Sequence, residues 1–232
     1  MMSNAVKLSC WSAVAGAALM IVAFLGLTIA GYNTHALDVN AAQSAGFIGA
    51  NFVVAAGSIL VLYGLPGIYA RWSEGWGSVG LAAIALSAFF LMIFGVFGSL
   101  LAAIVNQWIA VKAPSLITDP GPTSLYVVIG LATLAIFGAL ITMTIPILRR
   151  RVAAPWVGYV LIASTVLFVI GFGFVGSMTK PNVFAVLALA AAEILATFVL
   201  GYLGYLGATD TRTVRSEAVA TRQSHLSSGG VS

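Results

Sequence analysis

One carboxylate stands in the middle of an otherwise apolar run: Glu193, in LALAAAEILATFV, residues 187–199. Helical spacing puts Ala190, Thr197, Gly201 and Gly204 on its stripe, and all four are small or polar. Such a stripe lets a second helix approach closely, so the acid is expected to face protein and not lipid. An ionised carboxylate at that depth costs about 2.5–3.5 kcal/mol on insertion scales, which favours the neutral form. Two uses follow. A protonated Glu193 glues helices together by a hydrogen bond, or a protonatable Glu193, with Thr197 beside it, handles a proton or cation in a small carrier or channel-like protein. Every Lys and Arg falls at or beyond the end of an apolar run. The expected partners are therefore neutral hydroxyls: Ser58, Ser87, Thr133, Ser164 and Thr165.

Other chemistries fare worse. His35 and Asp38, in THALD, are close enough to share a metal, but two ligands are too few for a stable site. His225 lies in the tail, so no apolar run carries paired haem-binding histidines or a Ser–His dyad. Asp119 and Asp210 join Asp38 outside the apolar runs, which removes the aspartate pair of an intramembrane protease. The serine after the glycines of GFGFVGS has no base beside it and reads as close packing. Cys10 is the only cysteine, so no internal disulfide and no thiol pair can form. No phosphate loop ending in Lys-Ser or Lys-Thr is present. These readings predict no enzyme, no metal and no cofactor.

The elements that hold the acid follow from composition. The chain of 232 residues is 61% hydrophobic and 7% charged, against roughly 25% charged residues in soluble domains. A surface so poor in charge belongs in a bilayer. The apolar residues gather in six runs of about 20, the length that crosses a hydrocarbon core: Trp11–Gly31, Phe47–Tyr69, Val79–Val105, Leu125–Leu148, Trp156–Ser177 and Val183–Leu206. Helices are expected, because lipid offers the backbone no other partner. The fold class predicted is an all-α bundle of six membrane-spanning helices over residues 1–207, with residues 208–232 a polar, disordered cytoplasmic tail.

Charge supplies the orientation. Lys7, Arg71, Arg149, Arg150, Arg151, Arg212, Arg215 and Arg222 collect on one side, and Lys112 and Lys180 on the other. Basic residues mark the cytoplasmic side, so both termini are expected inside, against anionic headgroups. The net charge of +4 is thus topology and no nucleic-acid footprint. Trp11, Trp72, Trp76, Trp108 and Trp156 fall at the ends of runs, where an indole sits among headgroups. Pro66 and Pro146 read as terminators of their helices just before a basic cap. Cys10 reads as an ordinary small residue and not an acylation site, and the first run as a retained helix, since it exceeds the length of a signal peptide.

A faint repeat pairs the third run with the fifth, Gly80 with Gly158 and Gly95 with Gly173, which suggests three helical hairpins. The stretches LYGLPGIYARWSEGWGSVGLAAIAL and RRRVAAPWVGYVLIAS resemble a pattern in small bacterial six-span membrane proteins that have no established activity. The likeness covers most of residues 10 to 206. It implies a bacterial inner-membrane protein and transfers no functional residue. Two functions are expected to compete: a small carrier working through Glu193, and a non-transporting subunit that packs against another membrane protein or a second copy of itself.

Overall fold

A computed structural model describes residues 4–29, 39–117, 123–150, 153–174, 176–177, 180–181 and 183–209, nearly all of them helical. The elements are α1 (Asn4–Ile29), α2 (Val39–Gln43), α3 (Ala45–Phe90), α4 (Asn106–Lys112), α5 (Thr123–Arg150), α6 (Pro155–Phe174) and α7 (Val183–Thr209). Two π-helical stretches, Leu91–Gly98 and Leu101–Val105, join α3 to α4. A two-residue ladder pairs Gly176 and Ser177 with Pro181 and Lys180 between α6 and α7. His35, Asp38, Asp119, Arg151 and the tail from residue 210 lie outside the described residues.

Among the described residues, five helical runs are long and apolar enough to cross a membrane. The second and third expected spans are not separated by a loop; they form one run of 68 residues, Ala45–Lys112. At 1.5 Å per residue such a run, if straight, would be about 100 Å long, some three times a hydrocarbon core. It is not straight. Gly77 has φ 55° and ψ −148°, a backbone region open only to glycine, and the chain reverses there. Gly95 returns to lie on the Ser58 side chain, and Ala102 reaches Phe47. The first leg, 45–76, and the second, 78–112, are therefore antiparallel neighbours. ARWSEGWGS, the polar stretch between the second and third expected runs, is helix up to the single residue that turns.

The helices close into a circuit: α1 touches the first leg and α7, α7 touches α6, α6 touches α5, and α5 returns to α3. Small residues set the α1 seams. A Cβ added at Gly16 would meet Val61 N at 2.7 Å and the Gly57 carbonyl, and one at Gly57 would meet Gly16 O at 2.8 Å. On the other side of α1, Gly201 abuts Ala17, Gly204 abuts Cys10 and Ala13, and Gly207 abuts the Cys10 sulfur. The stripe expected on α7 thus docks on α1. Cys10 is wholly buried in this seam, as an ordinary small residue would be.

Other expectations need correction. Pro66 and Pro146 do not end their helices, which run on to the Gly77 turn and to Arg150. Alpha-helix also continues past Val105 to Lys112 and past Leu206 to Thr209, so residues 208 and 209 belong to α7 and not to the tail. Trp76 is 1% exposed within the core, with Gly80 packed on its ring, and is no interface anchor. Trp11, Trp108 and Trp156 are exposed, as headgroup anchors would be.

Candidate functional site

Glu193 lies ten residues into α7, about 15 Å from its first residue. Its direction can be read from its helix. At about 100° per residue, Leu189 and Ala196 fall on one side of it and Thr197 on the other, and all three are buried. Gly204, on the same stripe, packs on α1, while Leu189 packs on Gly171 of α6. Position 193 therefore lies on the arc of α7 between its α1 and α6 contacts. Glu193 itself is only half-buried. Val186, Ala190 and Leu200 on the same side of α7 are likewise half-buried, so Glu193 stands at the rim of the buried arc of its helix.

Thr197 is 6% exposed, one turn nearer the Gly77 end. Ser164 is fully buried and donates its hydroxyl to the carbonyl of Ala192 at 2.8 Å, bringing α6 to the residue beside Glu193. The other expected partners occupy their own niches. Ser58 donates to the Met20 sulfur at 3.6 Å beneath Gly95. Thr165 turns back to the Leu161 carbonyl of its own helix at 2.8 Å. Ser87 is buried in the second leg, and Thr133 is half-buried on α5.

Register along α1 places the acid more closely. Cys10 opposes Gly207, Ala13 opposes Gly204 and Ala17 opposes Gly201. Continued antiparallel, this sets Glu193 opposite the turn that contains buried Phe24. One turn further along α1, Leu27 meets Phe47 of the first leg and Ala102 of the second in a small apolar cluster. That cluster lies between Glu193 and the α2 end of the bundle.

Two polar residues escaped the sequence reading. Asn51 is 1% exposed and donates to the Phe47 carbonyl at 2.9 Å; its only signal is an amide in the apolar stretch GANFVV. Ser9 donates to the Tyr63 carbonyl at 2.7 Å and accepts from Gly67 N–H at 3.0 Å. Nothing in SCWSAV marks that serine as a bridge. Among the described residues no group of three or more His, Cys, Asp or Glu could hold a metal ion. No protein-family model, curated protein or solved structure matches the chain.

Proposed function

We propose that this is a six-span bacterial inner-membrane protein with both termini cytoplasmic, a small non-enzymatic carrier that exchanges protons at Glu193. The six spans are α1, the two legs joined at Gly77, α5, α6 and α7. The orientation rests on Lys7, Arg71, Arg149 and Arg150 lying at the Gly77 end, where basic residues mark the cytoplasm.

One observation carries the functional reading: Glu193 lies on its helix between buried Leu189 and Thr197 and still keeps accessible surface. An acid serving only as interhelical glue has no need of that surface, whereas a group that exchanges protons requires a path to it. Buried Thr197 lies one turn along α7 from the acid, and buried Ser164 bonds the carbonyl of the preceding residue. One carboxylate on this stripe suits a proton better than a divalent cation, which is bound by several oxygen ligands. The competing reading, a packing subunit, draws on Gly26, Gly46, Gly49 and Gly130, exposed glycines with open space beside them where another helix could approach.

The test is proton flux in liposomes reconstituted with purified protein, read by an entrapped pH dye under an imposed potential. Wild type should conduct above protein-free liposomes and Glu193→Gln should not. Equal flux in the two proteins sinks the proton site.

A further inference from the structure

The second leg is built unlike the rest of the bundle. Its middle is π-helical twice over, at Leu91–Gly98 and Leu101–Val105. Such helices are rare, occur mostly as single turns inside α-helices, and gather at functional sites. Here the wide ladder has an identifiable effect. The buried positions Leu91, Gly95, Ser99 and Ala103 recur every fourth residue, and they put one line of mostly small side chains on the bundle. An α-helix drifts about 40° per four residues, so by Ala103 the line would have turned about 120° out of contact. The π geometry is what holds Ala102 and Ala103 inward, and Ala102 is the second leg's member of the Leu27–Phe47–Ala102 cluster.

The neighbouring wall is fixed. Gly16 and Gly57 set α1 and the first leg backbone against backbone, and Ser9 and Ser12 donate to carbonyls of that leg. The pivot is Gly95, whose missing side chain admits Ser58. Beyond the π stretches, Gln43 of α2 donates to the Ala110 carbonyl at 3.0 Å, and Ala42 packs on Ala110. A turn of the second leg would carry α2 with it.

We propose that the second leg is a gate. Slippage of its π ladder into α register rotates residues 102–112 about Gly95, withdraws Ala102 from Leu27 and Phe47, and opens Glu193 to the α2 end of the bundle. The gate regulates the site of the preceding section and rests on that reading, but its motion is measurable by itself.

Spin labels on Val111→Cys and Val183→Cys, in a Cys10→Ala background, test it in the full chain reconstituted in liposomes. Both positions are exposed, at the α2 ends of the second leg and of α7. The expected result is two inter-label distances whose populations change between wild type and Glu193→Gln. Deletion of Phe97, in the first π stretch, removes one residue from the ladder and should leave a single distance and abolish flux. One distance, unchanged by Glu193→Gln, overturns the gate even if flux is present. Two distances without flux keep the gate and remove the proton reading. If the deletion variant does not fold, the distances in the full-length chain decide.

Discussion

The hydroxyl of Ser9 bridges Gly67 and Tyr63, accepting from one backbone N–H and donating to the other's carbonyl. In an unbroken α-helix those two groups would bond each other directly. Pro66, the residue before Gly67, has no N–H and its ring crowds the carbonyl of residue i−4. A side chain from α1 thus satisfies the first leg where proline disturbs it, a known remedy for prolines in membrane helices.

Ser9→Ala should therefore weaken the α1 seam. A hydrogen bond between membrane helices is worth on the order of 0.6 kcal/mol and up to about 1.7, and Ser9 makes the two of this bridge besides a long one to the Gly64 carbonyl at 3.4 Å. A loss of about 1–2 kcal/mol is expected in reversible unfolding from mixed micelles. A midpoint equal to that of wild type would show that the bridge contributes nothing.

Glycines should separate into two classes by position. Gly16→Ala forces α1 away from Val61 N and the Gly57 carbonyl and should cost about 1–3 kcal/mol. Gly26→Ala, in the same helix with open space around it, should be neutral or stabilising by up to about 1 kcal/mol. The same unfolding assay on both variants compares them. Similar losses at the two positions would contradict the close approach.

Gly77→Ala should destabilise the hairpin by about 1–3 kcal/mol, since φ 55° with ψ −148° is strained for any residue with a Cβ. Limited proteolysis of the turn offers a direct reading, with faster cleavage near residues 74–80 expected in the variant. Unchanged cleavage together with unchanged stability would speak against that backbone.

Ser164→Ala should loosen α6 from α7 by on the order of 1 kcal/mol, because the Ala192 carbonyl loses its donor. It should also change the reaction of Glu193 with a hydrophobic carbodiimide, measured as mass added to the α7 peptide. Glu193→Gln should show no adduct at that peptide. An adduct there in the Gln variant would place the reactive group elsewhere.

The helices long and apolar enough to cross a membrane were legible because length and composition mark each run whatever the tertiary context. Glu193 was legible for the same reason, as a group that lipid penalises, and the docking of Gly201 and Gly204 followed from their spacing with it. What escaped were features set by geometry between helices. Polar letters in ARWSEGWGS suggested a loop, but a helix emerging from a bilayer accepts them, and only Gly77 turns. Trp76 has the same local sequence signs as the exposed indoles and differs only in what folds over it. Serines are common at helix ends, so the bridge at Ser9 needs the position of Pro66 on another helix to be seen. The π ladder leaves no compositional trace apart from its four-residue spacing of small side chains.

The seam between Cys10 and Gly207 joins residues almost two hundred positions apart. α1 leaves the ribosome well before α7. Until α7 is made, one flank of α1 lacks its partner and must be shielded by lipid or an insertion factor. The circuit of helices is sealed by two members synthesised far apart in time, so without α7 it would be an open horseshoe with Ala13, Ala17 and the Cys10 thiol along its exposed rim.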